Sequence, residues 1–304
     1  MNSGWIGHPR RAAALSVASN TVLVVLKISV GVLGGSVAVL SEGLHSAIDL
    51  VASLIAFVSV SLSARPADKN HPYGHGKIEN VSGTVEALLI IAAGAFVVHE
   101  AVGRLSSRPE ITHLDAGIGL MVVSATVNAA VSRLLFRVAR RHESPALEAD
   151  AHHLSVDVYT SLGVLAGLTL VRFTGFLWLD SVVAVGVALL IFYIGFRVLK
   201  SSFLDLLDQS LPEEEQAKIQ QIIDRHGGRF IEYHKLRTRK SGPTRYIDLH
   251  LVISEDEAIK DAHDFCHHIE QEIRDELGNA SVTIHLEPGG SGPKSQGSPP
   301  VPAP

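Results

Sequence analysis

Ser41-Glu-Gly-Leu-His-Ser-Ala-Ile-Asp49 and Ala149-Asp-Ala-His-His-Leu-Ser-Val-Asp157 decide how this chain is read. Each puts a His-x-x-x-Asp pair, His45 with Asp49 and His153 with Asp157, inside a long apolar stretch. On a helix a spacing of four places both side chains on one face, so two such helices facing each other offer two imidazoles and two carboxylates around one point. That donor set suits tetrahedral coordination of a divalent metal. An Asp at the centre of a membrane helix costs roughly 2.5–3.5 kcal/mol on insertion scales, so four such groups in register need a reason, and a metal crossing there is the simplest. One intramembrane histidine alone would be as well explained by hydrogen bonding between helices. A second pair at the same spacing argues against that.

Composition agrees with a membrane setting. The 304 residues are 46% hydrophobic and only 19% charged, with a mean hydropathy of +0.25, values that suit a polytopic membrane protein carrying a soluble portion. A net charge of −5 and a pI near 6.3 lack the basic footprint that phosphate backbones require, which excludes nucleic acid as a partner. Cys266 is the single cysteine. It excludes an internal disulfide, suits a reducing compartment and reads as a small buried hydrophobe.

Apolar windows long enough to span a bilayer recur at residues 12–34, 38–62, 82–105, 115–138, 147–171 and 178–199, which predicts six transmembrane helices. Met1–Arg11 lacks a signal-peptide layout, so the first helix is expected to stay. Arg10, Arg11, Arg65, Lys69, Lys77, Arg137, Arg140, Arg141, Arg197 and Lys200 fall on one side, against Arg104, Arg108 and Arg172 on the other. The positive-inside rule then puts both termini in the cytoplasm of a multi-pass membrane protein; the cell's inner (plasma) membrane is the expected location. The short link Gly34–Ser36 allows the first two helices to pack as a hairpin, with Gly31 and Gly35 permitting close approach.

The character changes after Lys200. Pro212 and Glu213–Glu215 open a helix through Gln216–Arg225, ended by Gly227 and Gly228. A strand over Phe230–Thr238, a turn at Lys240–Pro243 and a strand over Thr244–Ile253 follow, the last with Tyr246, Asp248 and His250 alternating against Ile247, Leu249 and Leu251. A helix over Asp261–Leu277 and a strand over Ser281–Glu287 complete a small αββαβ domain of the α+β class. The expected organisation is a six-helix transmembrane domain at 1–208, a cytoplasmic domain at 209–288 and a disordered tail at 289–304, since Gly, Ser and Pro cannot build a core.

Between the second and third spans, Asp68, His71 and His75 lie in a loop where Gly74 and Gly76 allow sharp turning and Pro72 stiffens the chain. Two imidazoles and a carboxylate there are able to converge on one ion at the cytoplasmic face; a solvated loop explains the same residues as pure chemistry.

The run His71-Pro-Tyr-Gly-His-Gly-Lys-Ile-Glu79, together with the two opening segments, resembles the cation diffusion facilitators, a family of zinc transporters, and the resemblance covers nearly the whole chain. It implies a homodimeric antiporter that moves Zn²⁺ out of the cytoplasm against protons, with His45, Asp49, His153 and Asp157 as transport site and Asp68, His71 and His75 as loop site. It further implies a metallochaperone-like cytoplasmic domain whose metal ligands correspond to His234, His250, His263, His285 and Glu287. Glu287 departs from the Asp of that pattern, and His152 beside a ligand position is a second oddity. His234, His250 and His285 fall on predicted strands, whereas His267 and His268 read as solvated and His263 with His267 forms a competing i, i+4 pair.

Competition for the same lone pairs links the two fluxes, because a metal needs neutral imidazole and ionised carboxylate. Two His and two Asp favour Zn²⁺ over Mg²⁺, while Cd²⁺, Co²⁺, Fe²⁺ and Mn²⁺ stay open. An intramembrane metalloenzyme would carry His-Glu-x-x-His, and His99-Glu-Ala-Val-Gly103 lacks the second His, so no enzyme is expected. The remaining alternative is a membrane-anchored metal sensor or scaffold that does not transport.

Overall fold

The computed structural model describes residues 7–33, 37–106, 114–176 and 178–290. They fall into two compact units, Met1–Leu206 and Leu207–Pro304.

The first unit holds six helices: α1 (Pro9–Leu33), α2 (Val37–Ser63), α3 (Lys77–Ser106), α4 (Leu114–His142), α5 (Pro145–Thr174) and α6 (Trp178–Leu206). Each is long and apolar enough to cross a membrane, and helices are required there because hydrocarbon offers no partner for backbone N–H and C=O groups. Several run past their predicted spans: α3 begins at Lys77 and α4 reaches His142. The apolar window marks only the hydrocarbon depth, while the backbone ladder continues through polar interfacial turns. α5 shows both of its end signals, with Ser144 accepting from the Leu147 N–H ahead of Pro145 and Gly175 closing the helix at φ 74°.

α1, α2, α4 and α5 share one apolar cluster that includes Ala12, Val60, Leu135, Ala151 and Leu154. α3 and α6 pack on α5 through Ala87, Ile90, Ala149, Val156 and Ile191. α5 therefore belongs to both groups, and its alanines allow the close approach this needs. A Cβ at Gly31 would lie 2.8 Å from the Leu40 backbone nitrogen, which fits the expected α1–α2 hairpin; Gly34–Ser36, including Gly35, lie outside the described residues. Met1–Ile6, Arg108 and the side chains of Arg104 and Arg172 do so too. Leu33, Leu189, Tyr193 and Phe196 face outward, where lipid solvates them. Glu79 accepts hydrogen bonds from Ser63 and Ser144, tying the end of α2, the start of α3 and the cap of α5 together.

The second unit runs α7 (Glu213–Arg225), β1 (Glu232–Ser241), β2 (Thr244–Ile253), α8 (Ile259–Leu277) and β3 (Ala280–Pro288). The sheet order is β1-β2-β3, with β1 antiparallel and β3 parallel to β2. Ile247, Leu249 and Leu251 join Ile219, Ile223, Phe265 and Ile269 in one core, so both helices cover one face of the sheet. Tyr246, Asp248 and His250 take the opposite face by the period of two. β1 starts and ends later than the predicted Phe230–Thr238, because the hairpin turns on Gly242 and Pro243 alone, with Gly242 at φ 54°. A register shift between His234 and Arg237, with Lys235 at φ 55°, is a local irregularity that alternation does not announce. Of the tail at 289–304, all but Gly289 and Gly290 lies outside the described residues.

Candidate metal centres

α2 carries His45 and Asp49 one turn apart, and α5 carries His153 and Asp157 likewise. One ligand atom each from His45, Asp49 and Asp157 lies within 4.8 Å of the others. Tetrahedral ligands about 2.1 Å from zinc stand about 3.4 Å apart, so small side-chain movements close the set. His153 joins through Asp49, its Nε2 lying 3.2 Å from Oδ1. Asp49 and His153 are buried, Asp157 half-buried and His45 exposed. The packing of α2 against α5 thus brings the four predicted residues to one place, three as a convergent donor set and the fourth hydrogen-bonded to one of them.

Four neighbours escape a search for His and Asp pairs. Asn128 on α4 donates from Nδ2 to Asp157 Oδ2 at 3.2 Å, a contact of the kind that orients a ligating carboxylate. Lys27, buried in α1, donates from Nζ to Glu42 Oε1 at 2.9 Å and to Ser46 Oγ at 2.7 Å, one turn from Asp49. Asp150, one turn before His153, is fully buried, as is Glu86 on α3. The available signal was the rarity of ionisable groups inside apolar spans. His152 packs edge-on against Phe136, ring centroids 4.8 Å apart, which accounts for it without a ligand role.

In the α2–α3 loop, Asp68 Oδ1 accepts from the backbone N–H groups of Asn70 at 2.9 Å and His71 at 2.7 Å. These bonds, the one from His71 foremost, hold the Asp68 carboxyl below its ordinary value. His71 Nδ1 lies 3.2 Å from Oδ1 and His75 Nε2 3.4 Å from Oδ2. Gly74 at φ 81° makes the turn that folds the segment back. All three offer ligand atoms within 4.8 Å of one another.

In the second unit the pairing sets His234 opposite His250 and His250 opposite His285, so three imidazoles cross the sheet on one face. Ring centroids are 5.3 Å and 4.7 Å apart. Glu287 spans the row, with Oε1 2.6 Å from His250 Nδ1 and Oε2 3.3 Å from His234 Nε2. The His250 hydrogen bond is the main reason its carboxyl lies below the usual range. His234, His250 and Glu287 form the convergent set, with the His285 ring tilted against His250 beside it. His263 stands apart from this set. It sits exposed on α8, its ring stacked on His267 at 6.5 Å. α8 packs on the sheet face opposite the imidazole row, so within one chain His263 does not reach the others.

The chain matches the cation efflux transmembrane domain over residues 13–207 and the cytoplasmic domain of cation efflux proteins over residues 211–289. It is 34% identical over 279 residues to an uncharacterized transporter of Synechocystis sp., covering 92% of this chain and 90% of that one. The cation-efflux pump FieF of Escherichia coli is 32% identical over 290 residues, 95% of each chain. Among solved structures, the Zn form of CzrB is 33% identical and covers 29% of this chain and 99% of its own, with a TM-score of 0.27. The metal-bound C-terminal domain of the CzcD transporter from Thermotoga maritima is 26% identical and covers 25% of this chain and 90% of its own, with a TM-score of 0.24. Two family domains matched in sequence order, over six membrane-length helices and a small α+β unit, make this chain a member of the cation diffusion facilitator family.

Proposed function

We propose that the protein exports divalent metal from the cytoplasm across the inner (plasma) membrane in exchange for protons, with Zn²⁺ as its main cargo, and works as a homodimer with both termini cytoplasmic. The convergence of His45, Asp49 and Asp157 donors inside two membrane-length helices, with His153 bonded to Asp49, carries this reading. Two imidazoles and two carboxylates match zinc's ligand preferences and disfavour Mg²⁺, which holds its waters.

Protons and metal compete for the same donors, so loading releases protons and protonation releases metal. Because each donor binds either a proton or the metal, the exchange responds to a pH gradient across the membrane. The four helices α1, α2, α4 and α5 share one core and α3 with α6 another, and relative rocking of such groups about α5 would open the site alternately to each side. Asp68, His71 and His75 are read as a loop site that collects cytoplasmic metal, helped by a carboxylate held ionised. His234, His250 and Glu287, with His285 beside them, suit a resident Zn²⁺: the first three each offer a ligand atom within 4.8 Å of the others. His263 belongs to that set by resemblance only.

The test is Zn²⁺ uptake into proteoliposomes under an imposed pH gradient, compared across Cd²⁺, Co²⁺, Fe²⁺ and Mn²⁺. Gradient-dependent uptake abolished by His45→Ala supports the reading. Metal binding without flux would make the protein a membrane-anchored sensor.

A further inference from the structure

Where the C-terminal end of α7 meets α8, three side chains converge that none of the clusters above uses: His226, His268 and Glu272. His268 and Glu272 stand at i, i+4 on α8 and so share one face. His226 is the residue that ends α7, its backbone N–H donating to the Ile223 carbonyl at 3.0 Å. Its Nε2 lies 3.2 Å from Glu272 Oε2, and His268 Nε2 lies 3.2 Å from Glu272 Oε1. Both separations already fall near the roughly 3.4 Å between neighbouring ligands of a tetrahedral zinc ion.

The ring of His226 is held by packing. It stands edge-on to Phe265, centroids 5.8 Å apart at 75°, and the Arg229 guanidinium lies over the Phe265 ring at 4.3 Å. The surroundings are acidic. A cleft beside Glu272 is lined by Asp275 and Glu276 with Arg225, and one beside His268 by Glu257, Asp261 and Asp264 with Arg229. The bond from His226, foremost, holds the Glu272 carboxyl below its ordinary range, which keeps an anionic donor between two imidazoles at neutral pH.

We propose that His226, His268 and Glu272 form a further divalent transition-metal site, which clamps the end of α7 to α8. Two nitrogens and one carboxylate oxygen select Zn²⁺, Co²⁺ or Ni²⁺ over Mg²⁺ and Ca²⁺, which prefer oxygen alone. His268 is exposed, so water completes the coordination. The bland alternative for the same contacts is a His–Glu ion pair at a helix end. This inference does not depend on transport at the intramembrane site.

The deciding experiment uses full-length protein in detergent, in a background carrying Asp157→Asn, His71→Ala, His75→Ala, His234→Ala and His250→Ala. Zn²⁺ binding is measured by equilibrium dialysis, and Co²⁺ is titrated for its ligand-field absorption. One ion per chain is expected to remain in this background. His268→Ala, at an exposed position, and the size-preserving Glu272→Gln and His226→Gln should each weaken its binding at least about tenfold, the low end of what loss of an outer-sphere partner alone costs. No ion in the background, or affinity unchanged in all three variants, overturns the site. Variants that melt earlier without metal yet bind Zn²⁺ as before assign an ion pair to these residues and overturn it equally.

Discussion

Nε2 of His153 on α5 lies 3.2 Å from Oδ1 of Asp49 on α2, joining residues 104 positions apart at the point where the two His-x-x-x-Asp pairs meet. The contact explains how such a site survives without cargo. The Asp49 carboxylate and His153 Nε2 pair with each other at membrane depth, while the buried His153 Nδ1 has no hydrogen-bond partner among the described residues, and under the proposed function an arriving metal would replace the Nε2 bond with its own. Removing one partner should be worse for the empty protein than removing a ligand that has no such bond. His45→Ala is therefore expected to lower proteoliposome Zn²⁺ flux to background while the protein still purifies folded, and Asp157→Ala, which also strips Asn128 of its partner, should abolish flux as well. Asp49→Asn keeps a side chain that can hydrogen-bond His153 yet removes the charge that offsets the metal, and should also be inactive. Wild-type flux in any of the three would refute the assignment.

Asn128→Ala tests the orienting contact on Asp157. The carboxylate keeps its charge but loses the 3.2 Å bond from Nδ2. Metal affinity should drop about 10–100-fold, as for other partners of ligating groups. Competition with a fluorescent zinc chelator reads this directly.

Metal preference should respond to donor type. His45→Asp replaces an imidazole by a harder oxygen donor, and relative flux should move toward Mn²⁺ at the expense of Zn²⁺. A flux profile identical to wild type across the divalent series would place selection elsewhere.

The second unit should lose stability on acidification through Glu287. Its carboxyl lies below the ordinary value of 4.5, chiefly because of His250. A depressed acid contributes stability that is fully present above the unfolded-state value and is lost as pH falls through the folded-state one. Melting of the full chain, followed by a probe in this unit, should therefore fall as pH drops below about 4.5, and Glu287→Gln should flatten the dependence. Added Zn²⁺ should raise the melting temperature of wild type at neutral pH by mass action, and His250→Ala should remove the share of that gain that the His234–His250–Glu287 set supplies while leaving the fold, since His250 faces away from the core.

Cys266 should resist modification. It is buried in the α8–sheet core, and burial pushes its thiol up to about 11. Thiolate is the reactive form, so a maleimide at neutral pH should label it only as unfolding exposes it. As the single cysteine it reports on this unit alone. Fast labelling of native protein would contradict the burial.

Arg245 reaches from β2 to Glu215 on α7, with Nε to Oε2 at 2.7 Å and Nη2 to Oε1 at 2.9 Å. Glu215→Gln should destabilise the second unit by roughly 1–3 kcal/mol, the value of a charged hydrogen bond at a buried partner. Chemical denaturation measures it.

Local periodicity was enough to determine the six spans, the αββαβ order, the face that His250 takes on β2 and the pairing of His45 with Asp49 and of His153 with Asp157. Each depends only on residues a few positions apart, through the 3.6 and 2.0 repeats of helix and strand. Element ends were less legible, as with β1 and α3, because backbone hydrogen bonding continues past the apolar pattern. Tertiary structure decided which pairs share a point in space: α2 packing on α5 joined Asp49 to His153, and the sheet order lined up His234, His250 and His285. Within one chain it set His263 apart from that row, since α8 covers the other face of the sheet, and it brought His226 against Glu272. Lys27, Asn128 and Arg245 gained their roles only through partners on other elements, because what a polar side chain does is set by the groups that reach it, and helix packing rather than spacing along the chain chooses those groups.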